Sequence, residues 1–396
     1  MELPWNDAEV YRLMISKLEV KWYDTFVLLF GSVLAVVDPV TDILTLREFY
    51  LKGHKIWFGV GLAFVVLPNF ILSVTKCYLQ RISQGECERL MGLILGVLFA
   101  WNPLSLAYMR FKAFILCSSN FKTLWQNETL EDDCREKIRQ LIIDAYWFGR
   151  LEAFYESVPQ FIIQLHAIVV LQEQVSTIQI ISLCASLLSI TWTFTDDSVR
   201  KLIVLEGVRE TDSIISKIIT TVVFYLSRLF HLSSRLLAIT FFTVSFKWWA
   251  IAVFVFHFIV LVAFYRVWGE NIMIILTGLN HWQRLDGKLS RAIGYLLRAS
   301  FRNTLIGYSP EPQIFAKKND SFLLIRALPL FFLNVIENVI MICVFYSKEE
   351  PHAWYSVPVT VSVCVFSLVG GLMKVTLLYY FILRERDRER NEQDWS

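Results

Sequence analysis

The stretch Arg150–Leu171, RLEAFYESVPQFIIQLHAIVVL, is long and apolar enough to cross a bilayer, yet it carries two carboxylates and a proline in its first half. Laid on a helix, Glu152, Glu156, Gln160 and Gln164 recur every four residues and form one continuous polar stripe. The other sides suit lipid or apolar protein; this one faces something wet. A charged residue deep in a membrane costs roughly 2.5–3.5 kcal/mol on insertion scales, so two acids on one face require partners, water or a polar substrate.

The composition around the stretch fits that reading. The 396-residue chain is 55% hydrophobic and 15% aromatic, with a positive mean hydropathy, as expected of a multispanning membrane protein. A net charge of +2 gives no overall basic balance that would argue for nucleic acid. Apolar segments alternate with short charged ones, leaving no room for a large soluble domain. The N-terminal MELPWNDAEVYRLM lacks a basic region followed by a cleavable apolar core, so the first span is expected to serve as targeting signal. The seven cysteines show neither CxxC nor framework spacing and read as small buried hydrophobes.

Outward from the opening stretch, the chain predicts an all-α polytopic fold with about eight transmembrane helices and two re-entrant helices. Spans are expected at Trp22–Tyr50, Ile56–Cys77, Arg150–Leu171, Ile178–Thr195, Ile218–Phe246, Trp248–Trp268, Phe322–Tyr346 and Trp354–Phe381. Basic residues place 196–217, 280–321 and the tail in the cytosol, and 172–177 and 347–353 outside. With 80–89 and 121–139 also inside, Leu90–Cys117 must turn back within the membrane, helped by the Asn-Pro at 102–103. The same parity applies to Ile272–Leu279. The loop at 47–55 must lie outside despite Arg47, Lys52 and Lys55. The expected division is a cytosolic segment 1–22, a first four-span half 23–205, a second half 206–383 and a short cytosolic tail 384–396. Each half repeats the order span, span, re-entrant piece, span, span, which suggests two pseudo-symmetric halves with a pathway at their interface.

Both halves carry charge inside apolar segments. Asp38 and Asp42 lie one turn apart in the first span, while Arg228, His231 and Arg235 share a face in the fifth. FFLNVIENVIM places Asn334, Glu337 and Asn338 on one face. Such groups either fasten helices by ion pairing or line a polar furrow for a substrate carrying both signs. His166 and His257 have no second ligand at helical spacing and read as hydrogen-bonded packing, so no metal or cofactor is expected. The tryptophans and tyrosines at span ends read as an interfacial belt. There is no GxxxxGK, HExxH or GxSxG motif, and no enzyme is expected.

LEAFYESVPQFIIQL resembles the glutamate-rich signature of the XK-related membrane proteins, whose pattern is close to F-E-x-F-x-E-x-x-P-Q-L. DPVTD resembles that family's paired-aspartate first span, SITWTFTDDSVRKLI its serine–tryptophan helix, IENVI its late acidic position and LLYYFILR its last span. The resemblance implies eight spans and two re-entrant helices in a plasma-membrane protein. It also implies ATP-independent phospholipid scrambling, linked in several members to phosphatidylserine exposure during apoptosis, whereas other members have no clear scrambling activity. The positions carried over are Asp38, Asp42, Glu152, Glu156, Asp196, Arg235 and Glu337; the stripe adds Gln160, and the basic face Arg228. The sequence departs from the pattern at Leu151, where the family has an aromatic, and at Arg200, one place late. The tail offers only Asp387 and Asp394, the latter followed by Trp395, so caspase activation is not expected. Expected partners are membrane phospholipids, with a single-span accessory protein or a second copy as further candidates and no nucleic acid. Two other readings stay open: an ion or solute channel or carrier using the same stripe, and a membrane scaffold whose buried charges are structural.

Overall fold

Long apolar runs become long helices, and in the computed structural model all regular structure among the described residues is helical. These residues are 18, 20–81, 105–126, 130–206, 214–247, 249, 251–253, 255–257, 259–260, 321–348 and 355–393. In chain order the helices are α1 (Asp24–Leu51), α2 (Lys55–Arg81), α3 (Ser105–Ser119), the short α4 (Phe121–Trp125) and α5 (Asp132–Glu152). A π turn (Ala153–Ser157) leads into α6 (Val158–Leu171), followed by α7 (Thr177–Glu206), α8 (Ile214–Phe246), α9 (Ser321–Lys348) and α10 (Ser356–Gln393). Among the described residues, five helical stretches are long and apolar enough to cross a membrane: Asp24–Leu51, Asp132–Leu171, Thr177–Asp196, Ile218–Phe246 and Ser356–Leu377. This is the architecture of a multi-pass membrane protein.

The helices are amphipathic in the sense opposite to soluble ones. On α1, Phe26, Phe30, Val33, Val36, Val40 and Ile43 are exposed, whereas Ser32, Asp38, Thr41, Asp42 and Thr45 are buried. On α10, Val357, Val361, Val365, Leu368 and Leu372 lie outside and Ser367 inside. An apolar outer face over a polar interior is what hydrocarbon selects, because lipid tails solvate the first and not the second.

The chain separates into two compact units, Lys17–Asp197 and the part from Ser198 onward, with the boundary inside α7. In the first, α1 packs on α2 and α3, α3 on α5, and α2 on α6. In the second, α8, α9 and α10 pack on one another. The loop after α1 and the connection from α6 to α7 lie at the same end of the first unit. His54 Nε2 is 2.9 Å from Glu173 Oε1, Lys52 Nζ is 3.6 Å from Glu173 Oε2, and Ser176 Oγ donates to Glu48 Oε2 at 2.5 Å. The basic residues of that loop, which parity assigns to the same side as 172–177, thus meet an acid there.

Two helix boundaries differ from the sequence reading, and the expected re-entrant pieces fall largely outside the described residues. The span expected to open at Arg150 opens at Asp132, because Ile138, Ile142, Ile143, Ala145 and Tyr146 form a buried face that carries the helix back through the charged segment. The last helix runs on to Gln393, through the arginine-rich residues expected to form a separate tail. Of the expected re-entrant pieces, 90–104 and 272–279 lie outside the described residues, while 105–119 is the helix α3.

Candidate functional site

The opening stretch is not one uniform helix. Pro159 has no amide hydrogen to donate to the Tyr155 carbonyl, and its ring crowds that turn. The chain responds with the π turn Ala153–Ser157, in which the Val158 amide bonds to the Ala153 carbonyl, five residues back. The wider turn re-phases everything before it relative to everything after. Glu156, Gln160 and Gln164 are buried and Glu152 is half-buried, but the face that meets α1 runs through Ser157 and Gln164. Of the stripe, Glu156, Gln160 and Gln164 are buried together, and Ser157, which the four-residue spacing does not include, reaches Asp38.

Two helices, α6 with its preceding π turn and α7, converge on the two aspartates of α1. Ser157 Oγ donates to Asp38 Oδ2 at 2.9 Å, and Ser186 Oγ donates to Asp38 Oδ1 at 2.6 Å. Asp42 Oδ1 accepts from Gln164 Nε2 at 2.9 Å and from Ser182 Oγ at 2.7 Å, and Ser186 lies 3.4 Å from it. Ser182 also lies 3.0 Å from Gln164 Oε1, and the Gln160 side-chain amide donates to the Gly61 carbonyl of α2. The result is a buried polar seam several turns long. Its acids are satisfied by hydroxyls and amides, each worth about 0.5–1.5 kcal/mol net, or about 1.5–3 where the acceptor is charged.

A cation the sequence reading did not single out, Arg110 of α3, sits beside this seam. It is 5% exposed, and Nη1 donates to the Gly31 carbonyl at 2.9 Å. Two glycines make room for it. A Cβ on Gly31 would lie 3.4 Å from Arg110 Nη1, and one on Gly149 would lie 3.0 Å from Nη2. Arg110 interacts electrostatically with Glu152, so the first signature acid has a basic neighbour in its own unit. Asp196 is half-buried near the other end of α7.

The second unit satisfies its acid differently. Arg235, buried on α8, donates to Glu337 Oε2 and to Asn338 Oδ1, both at 2.9 Å. The other Glu337 oxygen lies 2.5 Å from His257 Nδ1, so His257 is a hydrogen-bonded side chain. Asn334 and Asn338 are fully buried on the same face of α9. Arg228 and His231 are buried on the α8 face that carries Arg235. No group of three or more histidine, cysteine or acidic residues that could hold a metal ion occurs among the described residues.

Apolar spans with polar seams buried inside them define a class: a multi-pass membrane protein built to keep charge within its helices. The sequence profile of the XK-related protein family matches residues 26–384, and the chain belongs to that family. It is 26% identical over 216 residues to XK-related protein 9 of Tetraodon nigroviridis, an overlap of 52% of this chain and 56% of the relative. It is 24% identical over 182 residues to XK-related protein 8 of the same fish, covering 44% of each. The chain thus spans about half the length of these relatives.

Proposed function

We propose that this chain moves phospholipids between the leaflets of the plasma membrane without ATP, exposing phosphatidylserine in an apoptosis-linked setting. Head groups pass along the polar seams while acyl chains stay in lipid. The observation that carries this reading is the seam of Asp38, Asp42, Ser157, Gln164, Ser182 and Ser186 inside helices whose outer faces are apolar. A chain that only had to hold its helices together in lipid has no need of two buried aspartates backed by hydroxyls and amides. A head group in transit does need hydrogen-bonding groups, because stripping its water without replacing it is what keeps leaflets apart.

In this reading the chain has eight spans and two re-entrant helices, with both termini cytosolic. Glu152, Glu156, Gln160, Arg228 and Arg235 line the route, and Asp38, Asp42, Asp196 and Glu337 shape its field. The deciding experiment reconstitutes the purified chain in liposomes with fluorescent phospholipids in both leaflets and bleaches the outer leaflet. Bleaching beyond the outer half, reduced in Glu156→Gln, supports the proposal; a plateau at the outer half under every activating treatment overturns it.

A scaffold reading draws on one specific observation: Asp38, Asp42 and Glu337 all have hydrogen-bond partners within their own unit. It predicts that neutralising Glu152 and Glu156 abolishes folding rather than lipid exchange alone.

A further inference from the structure

Among the described residues, no basic side chain forms an ion pair with Asp38 or Asp42. Their partners are the hydroxyls of Ser157, Ser182 and Ser186 and the amide of Gln164, while Arg110 acts on Glu152. Two ionised carboxylates are costly to hold side by side in a weakly polar interior. A cation bound between them supplies the countercharge that keeps both ionised.

The oxygens for such an ion are already gathered. Ser186 Oγ lies 2.6 Å from Asp38 Oδ1 and 3.4 Å from Asp42 Oδ1, and Asp42 Oδ1 lies 2.7 Å from Ser182 Oγ, itself 3.0 Å from Gln164 Oε1. All of these side chains are buried. To receive a cation the two hydroxyls turn their hydrogens away, and a helix offers them the carbonyl four residues back. On the same α7, Thr191 already donates to the Leu187 carbonyl at 2.7 Å.

A second observation points the same way. Asp38 with Ser186, Asp42 with Ser182, and Glu48 with Ser176 just before α7 set the two helices antiparallel. Thr45, one turn after Asp42 on the same face, is thereby directed into the seam at the level of Gln179. It is 0% exposed, and its hydroxyl has no hydrogen-bond partner among the described residues. Thr41, a turn earlier, donates to the Val37 carbonyl at 2.8 Å. Thr45 leaves the corresponding bond unmade and keeps a bare oxygen in a dry interior, a cost that a bound cation removes.

We propose that Asp38, Asp42, Gln164, Ser182 and Ser186, with Thr45 at their edge, form a binding site for a monovalent alkali cation such as sodium inside the first unit. The donor set decides the class. An all-oxygen set suits hard cations and not the metals that prefer imidazole or thiolate. Calcium takes about six to eight oxygens, commonly with bidentate carboxylates, whereas Asp38 commits its second oxygen to Ser157. The inference goes beyond the lipid-exchange reading and holds whether or not lipids move.

The test measures binding of radioactive sodium to the purified full-length chain in detergent, with choline holding the ionic strength constant. We expect saturable binding. Asp38→Asn and Asp42→Asn should each weaken it about tenfold or more, and Thr45→Val about fivefold. Thr45→Val deletes a hydroxyl with no bond to lose, so this variant should fold like the parent and its binding reads the site alone. Folded asparagine and valine variants that bind sodium like the parent overturn the site, as does a parent without saturable binding. Displacement by calcium at far lower concentration than unlabelled sodium overturns the monovalent assignment. Displacement by ethanolamine as effective as that by sodium overturns it in favour of a head-group ammonium. Should the asparagine variants not fold, thermal unfolding of the parent decides: a midpoint that rises with sodium and not with choline supports the site, and equal midpoints overturn it. Leaflet exchange is not read in this assay, so its outcome and that of the liposome experiment stand apart.

Discussion

Replacing Glu337 removes the carboxylate that joins α8, α9 and the helical stretch carrying His257. Arg235 Nη1 lies 2.9 Å from Glu337 Oε2, with the side chains 2% and 15% exposed. At that separation and an effective dielectric of about 20 the Coulomb attraction is about 6 kcal/mol, and much of it repays the desolvation of the two ions. Removing one partner forfeits the attraction but leaves the guanidinium buried, a situation that costs about 3–5 kcal/mol in comparable pairs. Asn338 Oδ1 still accepts from Arg235, so Glu337→Gln should fall near the lower end and Glu337→Ala near the upper. Arg235→Met combined with Glu337→Met removes both charges and fills the space with apolar atoms. It should lie within about 2 kcal/mol of the parent, the remainder reflecting polar partners left behind. The assay is unfolding of the purified chain in mixed detergent micelles, run as a double-mutant cycle. A coupling energy below about 0.5 kcal/mol would refute the claim that this pair fastens the second unit. The double variant, if folded, also shows whether the pair serves lipid exchange: exchange lost at near-parental stability assigns it to the route.

Other outcomes follow from the same structure. Asp42 accepts from Gln164 and Ser182, so Asp42→Ala should cost about 2–4 kcal/mol and Asp42→Asn, which keeps one acceptor oxygen, about 1–2, measured by the same unfolding assay. Gly370→Val places carbon against the His231 backbone and should separate α8 from α10 at about 1–3 kcal/mol. Gly59→Ala, where nothing lies within 4 Å of the new Cβ, should be neutral or stabilising in parallel measurements. Asn127 and Asn319 sit in NET and NDS sequons within segments assigned to the cytosol. No glycan is expected on either when the chain is made in a glycosylating cell, and a shift on glycosidase treatment mapped to one of them reverses the proposed orientation.

The parts of this architecture that sequence reveals are those with local causes. Apolar runs announce the helices, and the spacing places Asp38 with Asp42, and Asn334 with Asn338, on buried faces, with Glu337 half-buried beside the second pair. What sequence conceals is set by packing. Pro159 is plainly visible, but whether its missing hydrogen bond yields a kink, a break or a π turn depends on the helices around it. Ser182 and Ser186 read as small residues of an apolar span. Their four-residue spacing copies that of Asp38 and Asp42, the one signal that could have paired them. Arg110 lies in a piece read only for its topology, and Gly31 and Gly149, which make room for it, are far apart in the chain.

The two units solve the problem of charge in hydrocarbon by different means, and the difference bears on function. Glu337 is held by the Arg235 guanidinium and the His257 ring, and an ion pair such as Arg235–Glu337 resists change because either partner alone is costly to bury. Asp38 and Asp42 are held by serine hydroxyls and a glutamine amide. A hydroxyl can turn its hydrogen toward a carboxylate or offer its oxygen to a donor, and an amide presents both a donor and an acceptor. Such a seam can trade a bond to its own acids for a bond to a passing ammonium or phosphate without leaving a polar atom bare. The ion pair cannot make that trade, since a head group that displaced Glu337 would have to supply the whole charge. In the proposed reading, the seam of α1, α6 and α7 is therefore suited to exchanging bonds with a head group, whereas Arg235 lines the route with its charge already balanced by Glu337.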